Sequence, residues 1–175
     1  MSSGGEALSE ALAKVNRKWL LALVVGLVLA IIIHKVMSPS TTLSKGMTAP
    51  EFALESTNGK MFTLAKLRGV PVILSFWSTD CEECIPELAG RSQFAKSHPE
   101  VQLLGVAVDS GDLDALADAR AEHDISYPIL ESNAEVEASY GVDDLPLTML
   151  IDDQGIIRQV EVGPVSTQRL NVWVR

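Results

Sequence analysis

The sequence predicts an α/β domain preceded by one apolar helix, and three observations predict it. Short β-branched runs alternate with segments of helical period from about residue 70 onward, the pattern of strands and helices sharing one core. An uncharged apolar stretch stands ahead of them near the amino end. The composition, 47% apolar and 21% charged with 5% aromatic, is that of a folded chain and excludes a disordered or collagen-like one.

That apolar stretch, Trp19 to Ile33, holds fifteen residues without a charge, and extending it to Met37 gives nineteen. At about 1.5 Å per residue these reach about 28 Å, close to the ~30 Å hydrocarbon thickness, provided Lys35 snorkels to the interface. The alternative is a cleaved signal peptide, but His34 and Lys35 stand where its small-residue cleavage site belongs. Lys14, Arg17 and Lys18 precede the span and Lys35 alone follows it, so the positive-inside rule puts the amino terminus in the cytoplasm and the body outside. The expected organisation is therefore a short cytoplasmic segment over 1–18, a single-pass transmembrane anchor over 19–37, a polar linker over 38–46 and one folded domain over 47–175. The localisation that follows is the cell (cytoplasmic, or inner) membrane, with the domain facing the periplasm or other extracytoplasmic space.

Charge divides along the same boundary. Residues 1–36 carry four cations against Glu6 and Glu10, so of the total formal charge of -9 the remainder of the chain holds -11. Such an acidic body disfavours nucleic acid as a partner.

Within the domain, EFALESTNGKMFTL reads as two short strands around the turn signal Asn58-Gly59. Val70–Phe76 and Val101–Val108 read as buried strands. Glu82–Ser97, with Ile85, Leu88 and Phe94, and Asp112–His123, with Leu113, Leu116 and Ala119, repeat at helical spacing. Tyr127–Leu130 is a short extended segment and Ala134–Tyr140 a short helix. Leu147–Ile151 and Ile156–Val160 form a hairpin around Asp152-Asp153-Gln154-Gly155, and a last short helix begins near Ser166.

The chain has two cysteines, Cys81 and Cys84, which excludes a disulfide-stapled miniprotein and a four-cysteine zinc site. They follow a buried strand and open a helix, so Cys81 is expected at a helix N-terminus, where unpaired N–H groups favour a thiolate. Two intervening residues let Cys84 attack a mixed disulfide formed at Cys81. A purely structural bridge would close too small a loop to remove much chain entropy. Zinc would need further ligands that His98 and His123 do not supply at any paired spacing, whereas copper(I) on two thiols stays open.

FWSTDCEECIPEL, followed by YGVDDLPLTMLIDDQGII, resembles the TlpA/ResA-like family of membrane-anchored thioredoxin-fold thiol-disulfide oxidoreductases over about Gly46 to Arg175. Phe76, Trp77, Cys81, Cys84, Glu87 and Pro146 match its pattern. The resemblance implies a thioredoxin-like fold, a central mixed sheet flanked by helices, and a cis peptide at Pro146 beside the cysteines. It implies a substrate shelf at Leu145 and Pro146, with Trp77 also on the substrate side. Asp80, Ser75 and Leu147 depart from the pattern. With Ser75 unable to act as a base, Glu87, on the helix face of Cys84, becomes the carboxylate expected to take that thiol's proton.

The function expected is reduction of disulfides in exported proteins, cytochrome c maturation being one setting that the resemblance implies. A membrane thiol donor would regenerate the dithiol, and neither cofactor nor metal is required. Two other readings are a copper(I)-handling module of the same fold and a peroxiredoxin-like peroxidase. The second rests on APEFALESTNGKMFTLAKLRG, which resembles the opening of that superfamily, although Cys81 falls where peroxiredoxins keep a Thr.

Overall fold

The computed structural model describes residues 17–37 and 43–175. Residues 1–16 and 38–42, within the expected cytoplasmic segment and linker, lie outside the described residues. The chain divides into two units, 1–40 and 41–175.

In the first unit, Arg17–Met37 is one helix, α1, of 21 residues, about 31 Å of rise. Its side chains are described from 19 to 30, about 18 Å of that rise, and are exposed there, Trp19 and Leu23 at 71% and 68%. Among the described residues, no helix is long and apolar enough to cross a membrane. The expected transmembrane span is thus observed as a helix and no more.

The second unit has a five-stranded sheet in the order β5-β4-β3-β6-β7 and a separate two-stranded hairpin, β1-β2. The strands are β1 Ala53–Glu55, β2 Met61–Thr63, β3 Val72–Trp77, β4 Gln102–Ala107, β5 Ile129–Glu131, β6 Leu147–Ile151 and β7 Ile157–Val162. Parallel β3, β4 and β5 are joined by crossover helices α2 (Ile85–Ser97) and α3 (Leu113–Glu122). Helix α4 (Ala134–Tyr140) leads to β6, which runs antiparallel to β3, and α5 (Thr167–Trp173) follows β7.

Strand alternation sorts β3 between two cores. Val72, Leu74 and Phe76 pack with the hairpin residues Leu54 and Phe62 and with Tyr140 of α4. Ile73 and Trp77 face the other way, against Leu88 and Phe94 of α2, Leu116 of α3 and Leu170 of α5. Ser75 and its β6 partner Thr148 belong to that second face, beneath α2.

Three of the larger boundary differences from the expected elements fall at prolines. Strand β3 begins at Val72, after Pro71, and β5 at Ile129, after Pro128, because proline has no N–H for a ladder. Helix α2 begins at Ile85, three residues later than expected, because Pro86 cannot donate back to the carbonyl of residue 82 and so sits in the first turn. The folded unit also starts earlier than Met47. Leu43, expected in the linker, is 6% exposed in the core, and Gly46 N–H bonds the Ile157 carbonyl at 2.8 Å.

Candidate redox site

Strand β3 delivers the chain to a tight turn at the C-terminal end of the parallel strands. The Thr79 N–H donates to Ser110 Oγ, in the turn after β4, at 3.1 Å, and Ser110 Oγ also bonds Ser78 Oγ. Cys81 N–H then bonds the Ser78 carbonyl and Cys84 N–H the Cys81 carbonyl. Cys81 therefore lies one turn ahead of α2 rather than on its first residue, and Cys84 is the N-cap. The two sulfurs are joined at 2.02 Å, with Cα atoms 5.3 Å apart. Cys84 is 1% exposed within the α2-side core, whereas Cys81 is half-buried at its edge, so Cys81 offers the reachable sulfur.

The antiparallel pairing of β3 with β6 brings the second part of the site to the same end of the sheet, because Phe76 opposes Leu147 and Pro146 immediately precedes it. The Leu145–Pro146 peptide is cis. Pro146 is buried, and its carbonyl accepts from Gly163 N–H at 2.8 Å. Leu145 is half-buried against the same core as Cys81, and its N–H and carbonyl have no hydrogen-bond partner among the described residues. These two groups can pair with an extended chain.

Trp77 is not on this surface. It is 1% exposed, in the core with Cys84 and Leu88, so the expectation that it contacts substrate is corrected: its position in β3 turns it under α2.

Glu87 is also more enclosed than a helix-surface carboxylate, its side chain 9% exposed. Oε1 accepts the Val165 N–H, and Oε2 lies 2.7 Å from Arg91 Nη1, an ion pair without hydrogen-bond alignment. Arg91, 2% exposed, donates from Nη2 to Thr148 Oγ1 at 2.7 Å. Buried close by, the Tyr127 phenol is pushed well above its usual range by desolvation, with Arg91 opposing and Glu87 reinforcing the shift. Sequence reasoning missed Arg91 and Thr148. The available signal was the Glu87/Arg91 spacing of four, a favourable helical ion-pair spacing.

Asp80, Glu82 and Glu83 are exposed around the cysteines and make no ion pair among the described residues. Nor is there a cluster of three or more His, Cys, Asp or Glu able to hold a metal ion among those residues. A cavity of about 580 Å³ lies between α2 and α5 around Gln93, His98 and Asn171, at the opposite end of α2 from the cysteines.

A Cys-x-x-Cys disulfide leading into the first helix of this sheet, with a cis-proline strand at the same end, defines a thiol-disulfide oxidoreductase of thioredoxin-like fold. The AhpC/TSA family model matches residues 46–160, and the chain belongs to that family, among its ResA-like thiol-disulfide oxidoreductases. It is 31% identical over 147 residues to the thiol-disulfide oxidoreductase ResA of Bacillus subtilis (strain 168), covering 82% of this chain and 81% of that one. ResA of Geobacillus thermodenitrificans (strain NG80-2) is 32% identical over 133 residues, covering 73% and 75%. Among solved structures, a thiol:disulfide interchange protein of the thioredoxin family from Chlorobium tepidum TLS superposes with a TM-score of 0.66 at 27% identity, covering 76% of this chain and 97% of that one. The protein is an enzyme of thiol-disulfide exchange, and its family implies disulfide-bearing protein substrates.

Proposed function

We propose that the enzyme works as a reductant of disulfides in exported proteins, held at the outer face of the cytoplasmic membrane by the helix containing residues 19–37. The observation that carries this reading is the half-exposed Cys81 beside a buried Cys84, with the unpaired backbone of Leu145 at the same end of the sheet. In the dithiol form the Cys81 thiolate attacks a substrate disulfide, one substrate thiolate leaves, and a mixed disulfide remains on Cys81. The Cys84 thiolate then attacks Cys81 Sγ, releasing the second substrate thiolate. The substrate gains two electrons, and the enzyme is left as the Cys81–Cys84 disulfide.

Glu87, one turn after Cys84 and with carboxylate lone pairs beyond those already used, receives the Cys84 proton. The substrate chain lies along Leu145 and Pro146. A membrane thiol donor returns the enzyme to the dithiol, and apocytochrome c is one exported substrate of the required chemistry.

Insulin reduction followed by turbidity tests the activity: the wild type accelerates it and Cys81→Ser does not, while Cys84→Ser accumulates mixed disulfides through Cys81. Covalent partners found on Cys84 instead reverse the assignment. Copper(I) titration run alongside separates a metal-handling role, which would show tight binding without turnover. Alkaline phosphatase fused after residue 175 is active if the domain is exported, and an active cytoplasmic reporter at that position refutes the topology.

A further inference from the structure

We infer that Arg91 is a positioning residue, tying the redox helix to the cis-proline strand and so setting the distance between Cys81 and the shelf that holds a substrate chain. The inference rests on the oxidoreductase reading above. Its basis is a closed circuit of polar contacts. The Pro146 carbonyl accepts from Gly163 N–H, and two residues further on Val165 N–H donates to Glu87 on α2. Glu87 pairs with Arg91, and Arg91 donates to Thr148, two residues beyond Pro146 on β6. Both ends of the circuit therefore close on the cis-proline segment, and its middle is the helix that follows the cysteines.

A charged pair this deeply buried is poor value as a source of stability, because well-packed apolar side chains of the same volume do as well or better. What apolar side chains would not provide is direction. The guanidinium is a planar fork that addresses Glu87 from Nη1 and Thr148 from Nη2 in fixed relation, whereas a lysine ammonium is a point charge on a flexible stem. Thr148 faces α2 because it pairs with Ser75 on β3, so the register of the two central strands aims the acceptor. A reacting sulfur and a substrate backbone held on different elements need such a fixed spacing, and misplacement of about 1 Å costs up to ~100-fold in rate.

Three variants of the full chain test this. Arg91→Met leaves Glu87 buried without its cation and serves only as a folding control. Arg91→Lys retains a cation beside Glu87 and loses the fork, and Thr148→Val removes only the acceptor on β6. Each is read three ways: kcat/KM for insulin reduction, the rate of Cys81 alkylation by iodoacetamide in the reduced protein, and the thermal midpoint. The expected result for Arg91→Lys and Thr148→Val is a fall of about tenfold or more in insulin reduction with alkylation within about twofold of wild type, since a small reagent needs no shelf. Insulin reduction at the wild-type rate in both variants overturns the tie, as does a parallel loss of insulin reduction and alkylation, which marks general damage. A wild type that alkylates at Cys81 but reduces no insulin refutes the parent reading instead, and the two failures are told apart by that control.

Discussion

Replacing Glu82-Glu83 by Lys-Lys should make the Cys81–Cys84 couple more oxidising, and Coulomb's law bounds the size of the change. Both are exposed in the turn between the cysteines, ahead of the first residue of α2, Ile85. Taking each carboxylate at about 7 Å from the Cys81 sulfur, Coulomb's law in water gives about 0.6 kcal/mol, and screening at 0.15 M leaves about 0.25 kcal/mol each. Reversing both charges therefore favours the thiolate, and with it the dithiol form, by about 1 kcal/mol, an upper limit of about 20 mV for a two-electron couple. The helix dipole, worth about 0.3–1 kcal/mol, acts in the same favourable direction in both proteins and cancels in the comparison. Equilibration against glutathione at fixed pH measures the shift, and repetition in 1 M salt should abolish most of it, because the screening length falls to about 3 Å. A potential that moves the other way, or a shift that persists undiminished in 1 M salt, refutes the electrostatic argument.

Gly105→Ala should destabilise the domain by about 1–3 kcal/mol in urea unfolding, because a Cβ there would lie 2.8 Å from Ile129 Cδ1, 2.9 Å from Tyr127 Cε2 and 3.1 Å from Trp77 Nε1. Trp77 fluorescence reports the accompanying disturbance under α2. Tyr140→Phe leaves the Pro50 carbonyl without the phenol that donates to it at 2.6 Å and should cost about 1–3 kcal/mol, read in the same way. For Asp152, desolvation raises the carboxyl, but the Ile156 N–H, the Arg158 guanidinium and the Gln154 N–H hold it below its ordinary 3.8. A lowered folded value means that its stabilisation is fully present above 3.8 and is lost as pH falls through the folded value. The stability gap between wild type and Asp152→Asn should accordingly be constant at neutral pH and shrink only in strong acid; a gap that changes between pH 5 and 8 contradicts this.

Hydrophobic period and turn chemistry made most elements legible. Ala134–Tyr140 emerges with the expected bounds, and Asp112 and Ser166 are found as N-caps whose side chains accept from Ala115 and Arg169 N–H. Three of the larger displacements fall at Pro71, Pro86 and Pro128, where the expected element runs across a residue that lacks a backbone donor. At the site, Cys81 and Cys84 are legible because strand, turn and helix are local. Trp77 was misplaced because a strand buried on both faces carries no alternation to say which side each residue takes. Arg91 and Thr148 were illegible for a different reason: their contact depends on the β3–β6 register, and no local pattern encodes which residues that register brings under α2.

That register also governs when the site can come into being as the chain folds. Strands β3, β4 and β5 are linked by crossovers of ordinary length and β6 and β7 by a tight hairpin, so each half closes through comparatively local contacts. Within the sheet the two halves meet along the β3–β6 pairing, from Val72 with Ile151 to Phe76 with Leu147, where Ser75 opposes Thr148, seventy-three residues apart. The cysteines belong to one half and the cis-proline strand to the other. A chain that emerges amino end first therefore presents its thiols before it possesses the surface that selects what they react with. Until the last third of the sequence is available, chemistry at Cys81 is governed by encounter alone, which makes the joining of the two half-sheets the event that turns a reactive cysteine pair into an enzyme.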